Sequence, residues 1–195
     1  MSDATLYVDY VYLDTDERRR FAQVSHEYLI EQLQFTGDET LTSGSNKFKL
    51  SFNHPCKELV WVCRRAEAET AKEWFNFTNT AGDSNGDSVY TGVNPVTSAK
   101  LQLNGHDRMS EREGKYFNYV QPYQHHENVP AEGINVYSFA LKPEEHQPSG
   151  SCNFSRIDNA TLQLTSAMPG VCKVFARNYN VLRIMSGMGG LAYSN

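Results

Sequence analysis

The chain has 195 residues, of which 39% are hydrophobic and 12% aromatic. That length suits one generous domain, which buries roughly 70% of its unfolded surface without disulfide or metal staples. The formal net charge of −5 argues against a chain-wide basic surface for gripping nucleic acid or anionic lipid, and the composition is neither collagenous, coiled-coil nor disordered.

Residues 4–13 (ATLYVDYVYL) read as a strand with apolar side chains on both faces, as a covered central strand would have. Asp14 then offers an N-cap with Glu17 as its capping-box partner. A helix is predicted over 16–33, with Phe21, Val24, Tyr28, Leu29 and Leu33 as its apolar stripe. Arg18, Arg19 and Arg20 fall in its first turns, the unfavourable end of the helix dipole. They read either as solvated arginines paired with Asp14, Asp16 and Glu17 or as an interface salt-bridge cluster. Residues 47–52 (KFKLSF) alternate as a half-exposed strand. His54-Pro55 ends it, and 58–63 (ELVWVC) reads as the second arm of a hairpin.

Residues 76–98 are rich in Asn, Gly, Ser, Asp and Thr and read as a long surface loop. A strand follows over 97–103. A second excursion over 104–132 holds a helix near 110–120. Strands are predicted over 134–141, over 154–165 with Ala160, Leu162 and Leu164 inward, and over 171–185. The closing GMGG at 187–190 reads as a flexible turn. About eight strands, one early helix and no βαβ alternation predict an all-β fold. The expected architecture is an antiparallel two-sheet sandwich with a jelly roll as leading topology and long loops.

The charge is uneven along this pattern. All 23 acidic residues precede Asn159, along with 15 basic ones, whereas 159–195 hold only Lys173, Arg177 and Arg183. This reads as a buried or interface-facing tail, or else as a face turned toward an anionic partner. Cys56, Cys63, Cys152 and Cys172 lack CxxC spacing and read as small buried thiols rather than zinc ligands or a redox motif. Met1-Ser2-Asp3 opens no signal peptide. Arg183, Gly187, Gly189 and Gly190 break the last apolar stretch, so no transmembrane helix is predicted.

No catalytic constellation emerges. The histidines at 26, 54, 106, 125, 126 and 146 form no HExxH or HxH group. His125-His126 beside Glu127 is weighed as a metal site, but adjacent side chains point apart. Glu144-Glu145 sit together in a turn and are not an acid/base pair without a cleft. No nucleophile elbow, Walker A or dinucleotide fingerprint occurs. No enzyme, cofactor or metal is therefore expected. Glycosylation sequons stand at Asn76, Asn153 and Asn159. Tyr90, Tyr116, Phe117, Tyr119 and Tyr123 are candidate interface anchors or packing for the bases of their own loops.

The segment YSFALKPEEHQPSGSCNFSRIDNATL, within 134–165, resembles the second jelly roll of the major capsid protein of nucleocytoplasmic large DNA viruses (iridovirus, phycodnavirus and mimivirus-like groups). VDYVYLDTDERRRFAQVSHEYLIEQLQ and NYNVLRIMSGMGGLAYSN resemble that domain's first strand and helix and the family's C-terminus, so the likeness runs the length of the chain. It makes Pro143, Glu144, His146, Pro148, Gly150, Asn153, Phe154, Arg156 and Asp158 the structural motif, a stiff turn holding two strands in register. Arg156 and Asp158 would pair with each other or across the sheet.

The resemblance implies a late structural virion protein that builds trimeric, pseudo-hexagonal capsomers of an icosahedral capsid assembled in the host cytoplasm. Its partners would be further copies of itself, minor capsid proteins and the inner membrane at the base, with no direct nucleic-acid binding. The loops 76–98 and 104–132 would be tower and intersubunit elements, with Arg18, Arg19, Arg20, Tyr116, Tyr119 and Tyr123 at interfaces. Family members run to well over twice this length, so residues 1–195 would be one jelly roll and its N-terminal companion roll a missing partner. The rival reading is a carbohydrate-binding β-sandwich using Trp74 or Trp61. A cupin-type enzyme ranks third, lacking a histidine-rich strand pair.

Overall fold

The computed structural model describes residues 3–82 and 91–193. The chain divides into two compact units, Glu31–Tyr179 and Met1–Ile30 with Asn180–Asn195. In chain order the elements are α1 (Thr15–Gln23), β1 (His26–Leu41), β2 (Gly44–Leu50), β3 (Pro55–Arg65), α2 (Glu67–Thr70), β4 (Val96–Leu103), β5 (His106–Asp107) and β6 (Arg112–Glu113). A π-helical turn (Tyr116–Val120) leads into α3 (Gln121–His125), then come β7 (Ile134–Ser138), β8 (Cys152–Asn153), a 3-10 turn (Phe154–Arg156), β9 (Ala160–Ser166), β10 (Gly170–Met185) and β11 (Met188–Leu191).

Two antiparallel sheets result. One runs β1-β10-β3-β7, with β11 on β10 and β8 on β3; the other runs β2-β9-β4-β5, with β6 on β4. The long strands alternate between sheets along the chain: β1 in the first, β2 in the second, β3 back in the first, β4 in the second, then β7, β9 and β10. This is jelly-roll connectivity. It explains why β2 and β3 are not the hairpin that their short linker predicts: they belong to opposite sheets. His54, with φ of 67°, lies in the four residues that change sheet.

The inner faces interdigitate by register. In the second sheet, Leu162 lies opposite Phe48 on one side and Leu101 on the other, and all three are buried. The inward set Ala160, Leu162 and Leu164 matches the alternation read from the sequence. In the first sheet, Trp61 faces Val174 and Asn135, and Leu59 faces Ala176 and Tyr137. Phe117 from the π-helical turn packs edge-on against Trp61, with ring centroids 5.1 Å apart. One side chain from the long 104–132 excursion thus plugs the core, and the helix predicted near 110–120 begins where that plug is needed. Gly133 closes the excursion with φ of +90°, and a Cβ there would sit 2.1 Å from the Phe77 carbonyl oxygen. Only glycine fits that approach.

Four further expectations change. Residues 4–13 carry no strand pairing: the ladder that such an alternating segment needs is not supplied by the described residues. The helix predicted over 16–33 ends at Gln23, and His26–Leu41 is the long strand β1. The apolar spacing of Phe21, Val24 and Tyr28 imitated a helix, whereas strand pairing with β10 decides the segment's state. The strand predicted over 154–165 begins at Ala160, after the 3-10 turn. Residues 187–190 are not a loose turn. Ser186 (φ 52°) and Gly187 (φ 76°) make a two-residue reversal with both φ positive, which joins β10 to β11 with Met185 opposite Met188. Among the described residues no helix is long and apolar enough to cross a membrane.

Candidate functional site: a buried charge cluster and exposed apolar segments

The densest polar chemistry lies where β3 meets β10 within the Glu31–Tyr179 unit. Arg177 opposes Glu58, but Asn178 opposes Cys56, so Lys57 is an extra residue without a partner on β10. A bulge of this kind re-aims side chains. The Lys57 carbonyl accepts from the amides of both Phe139 and Ala140, at 2.8 and 3.2 Å. Its ammonium is fully buried; it donates to Glu31 Oε1 at 2.5 Å and lies 5.3 Å from the centre of the Tyr179 ring. Arg177 bridges two carboxylates, Glu31 Oε2 at 2.9 Å and Glu58 Oε1 at 2.6 Å. His126, just past α3, closes the chain with Nε2 2.6 Å from Glu58 Oε2.

The order is Lys57, Glu31, Arg177, Glu58, His126, an alternation of basic and acidic groups. Burial pushes the Glu58 carboxyl upward, but the His126 bond and the Arg177 charge outweigh it and hold it below the ordinary carboxylate range. Glu31 follows the same logic, with burial opposed and exceeded by Lys57 and Arg177. Burial works against Arg177 as well, yet its two carboxylate partners hold its pKa above the usual guanidinium value. Such a cluster ties β1, β3, β10 and the end of α3 together. Among the described residues no three or more His, Cys, Asp or Glu side chains converge to hold a metal. A shallow cleft of about 340 Å³ beside it is lined by Gln124, His125, His126, Glu127, Lys142, Glu144 and Glu145. His125 there hydrogen-bonds the Leu141 carbonyl at 3.0 Å, so the two adjacent histidines point to different partners.

The family-motif turn is built as a clamp. Ser149 Oγ accepts from the Lys142 amide at 2.9 Å and donates to the Lys142 carbonyl at 3.2 Å. Lys142 pairs with Glu145 at 3.1 Å, and Glu144 accepts from the Glu127 amide at 2.7 Å. Pro143 is buried while Pro148 and Gly150 are exposed. His146 reaches to 3.9 Å of Glu31. Phe154 is buried against Phe52 and Phe139, and Asn153 caps its turn by accepting from the Ser155 amide at 3.0 Å. Arg156 and Asp158 both precede β9, are exposed and form no ion pair among the described residues. The expected pairing is therefore corrected: the 3-10 turn replaces the strand that would have put them on one face.

The sequons fare differently. Asn76 is fully buried. Its amide donates to Glu73 at 2.8 Å and the Thr80 carbonyl at 2.9 Å, and its oxygen accepts from the Thr78 amide and hydroxyl. An Asx turn has consumed the side chain, so the glycosylation expectation at Asn76 does not hold in the folded chain. Asn153 is half-buried and Asn159 is exposed.

Among the aromatic candidates, Phe117 is core. Tyr116 packs at the base of its own excursion, its hydroxyl accepting from Gln121 at 2.8 Å and Arg112 lying over its ring at 5.6 Å. Tyr119 donates to Glu132 and is partly exposed, and Tyr123 is 81% exposed. Tyr90 lies outside the described residues, as does part of the 76–98 loop. Arg18 and Arg20 are exposed, and Arg19 meets Asp16 at 3.3 Å. Because α1 has nine residues, Arg20 falls in its last turn, the favourable end of the dipole. Trp61 is core, and Arg64 lies over the half-exposed Trp74 ring at 6.0 Å. Among the described residues the longest run of exposed apolar side chains is Leu6, Tyr7, Val8, Tyr10, Val11, Tyr12 and Leu13. Sequence reasoning missed the charge cluster. Its one visible signal was Lys57-Glu58 opening an otherwise apolar strand.

Comparison with known proteins fits this picture of a structural body with sticky margins. Residues 17–190 match the family model described as large eukaryotic DNA virus major capsid protein. The chain is 57% identical to the major capsid protein of Pyramimonas orientalis virus, covering all of this chain and 50% of that one. It is 45% identical to the major capsid protein of Paramecium bursaria Chlorella virus 1, covering 98% and 54%. It superposes on a chain of the PBCV-1 virus capsid quasi-atomic model with a TM-score of 0.79 at 40% identity, covering 95% of this chain and 56% of that chain. The chain thus spans about half the length of the curated relatives it matches. With a family match over most of its length and the same two-sheet fold, this chain belongs to the large eukaryotic DNA virus major capsid protein family.

Proposed function

We propose that the chain is a shell-building part of a major capsid protein and works by self-association rather than catalysis. The family match over 17–190 carries this reading. The clamped 142–150 turn and the salt-bridged junction of β3 and β10 supply the rigidity that a lattice unit needs. On this reading the body is the second of two jelly rolls and three chains make one pseudo-hexagonal capsomer. Minor capsid proteins and an inner membrane lie at its base, in a virion assembled in the host cytoplasm. Asn153 and Asn159 remain the sequons available for modification.

The exposed segment 4–13 supports the two-roll arrangement. It has strand alternation, seven exposed large apolar side chains and relatives about twice this length. An apolar strand of this kind pairs with a sheet supplied by another part of the subunit. The test is to co-express this chain with the N-terminal half of the Pyramimonas orientalis virus relative and measure the mass of the product in solution. A stable equimolar complex assembled in threes, lost when residues 4–13 are deleted, is the expected outcome. Absence of any complex overturns the reading. A glycan array checks the carbohydrate-binding alternative, which Arg64 over the Trp74 ring already disfavours; no binding is expected.

A further inference from the structure

Cys63 on β3 stands directly opposite Cys172 on β10 in the antiparallel register. Both side chains are fully buried and belong to the hydrophobic core between the sheets. Directly opposed residues of an antiparallel pair have Cα atoms about 4.5–5.5 Å apart, within the span of about 4.4–6.8 Å that a disulfide bridges. Cys56 and Cys152 form a second opposed pair, between β3 and β8, but there the Cys56 thiol donates to the Glu58 carbonyl at 3.1 Å. Cys152 is only half-buried, whereas Cys63 and Cys172 are both fully buried. All four cysteines are free thiols in this structure.

We propose that Cys63 and Cys172 are a covalent modification site, a disulfide clasp across β3 and β10 that closes when the chain folds in oxidising surroundings and stays open when it folds in reducing ones. The reactive species is the thiolate. In the folded chain the neighbouring Cys63 thiol and burial raise the Cys172 thiol far above its ordinary range, and no solvent path reaches either sulfur. Closure therefore belongs to folding, when both thiols are still exposed.

The exchange balances as follows. The Cys172 thiolate attacks one sulfur of a small-molecule disulfide such as oxidised glutathione, and one glutathione thiolate leaves. As β10 docks on β3, Cys63 gives up its proton to solvent and attacks the Cys172 sulfur of the mixed disulfide, expelling the second glutathione as thiolate. Two protein thiols are oxidised to one disulfide and one small disulfide is reduced to two thiols. The clasp would close a loop of about a hundred residues and so restrict the unfolded chain strongly. For a shell protein, the same sequence then gives a pliant subunit where thiols are kept reduced and a locked one where they are not.

The test refolds the full chain from denaturant in two buffers, one holding a mixture of oxidised and reduced glutathione and the other excess reductant. Each product is then alkylated under denaturing conditions and mapped by peptide mass. In the oxidising buffer the expected product is a monomer lighter by two hydrogens, linked 63 to 172, with Cys56 and Cys152 alkylated. Its thermal midpoint rises by on the order of 5–10 °C, and reductant added after unfolding reverses the gain. Cys63→Ala and Cys172→Ala should each abolish the difference between buffers. The wild-type comparison carries the test even where a variant folds poorly. Four alkylated cysteines in the oxidised, refolded monomer, or a link mapped to 56 and 152, overturns the proposal.

Discussion

Ala4-Thr5-Leu6 and Ala160-Thr161-Leu162 are the same tripeptide with opposite fates. Leu162 is 1% exposed and Leu6 is 86% exposed. Both open alternating segments of similar strand propensity. The difference is supplied by the neighbours: β9 lies between β2 and β4 and is paired residue by residue on both edges, whereas residues 4–13 have no ladder among the described residues. Strand pattern is thus a request for partners, met in one place and open in the other. The open request is what makes the N-terminal segment a candidate assembly element.

The comparison is broken most directly at its two leucines. Leu162→Ala removes packing against Phe48 and Leu101 and should cost about 2–5 kcal/mol in urea unfolding. Leu6→Ala should cost less than about 0.5 kcal/mol in the same measurement. Equal losses would mean that the segment 4–13 is packed after all. Gly133→Ala forces a side chain into the Phe77 carbonyl at a positive φ. It should cost about 1–3 kcal/mol, read as a lowered urea midpoint with an unchanged slope.

The charge cluster sharpens the contrast by pH. Glu58 and Glu31 are held below the ordinary carboxylate range. A depressed carboxyl contributes stability that is complete above its unfolded pKa, about 4.3, and is lost as the pH falls through the lower folded value. Unfolding free energy should therefore hold steady down to about pH 5 and decline steeply below about pH 4. Glu58→Gln should lower stability at neutral pH by about 2–3 kcal/mol, since it weakens charged bonds to Arg177 and His126, and should make the acid decline shallower. An unchanged acid slope would show that Glu58 does not carry it.

These features were unequally legible in the sequence. The Asp14 cap, the inward face of β9 and the two-sheet class follow from spacing over a few residues, where local chemistry decides. The jelly-roll crossing of β2 and β3 does not, because a short linker with His54-Pro55 serves a hairpin and a sheet change equally well. β1 was hidden by an accidental helical stripe that only pairing with β10 overrules. The charge cluster was the least readable, since Arg177 and Glu31 meet across 146 residues and their alternation exists only once two sheet neighbours and a bulge have aligned them. Asn76 shows the reverse error: a three-residue motif is visible in any sequence, yet the fold decides whether its amide is free.

A local effect tests how independent the N-terminal region is. Asp14 accepts from the Glu17 amide at 2.9 Å, and α1 has no buried residue. Asp14→Ala should cost about 1 kcal/mol, but the loss should stay local, because α1 has no fully buried residue and meets β1 through the Phe21–His26 ring pair at its far end. Hydrogen exchange at the Glu17 and Arg18 amides should quicken about fivefold, while amides of β9 keep their rates and the urea midpoint does not move. A shift of the whole transition would instead mean that α1 is stabilised cooperatively with the sheets, and the exposed N-terminal segment would then have to be counted as part of the folded body rather than as a strand waiting for its partner.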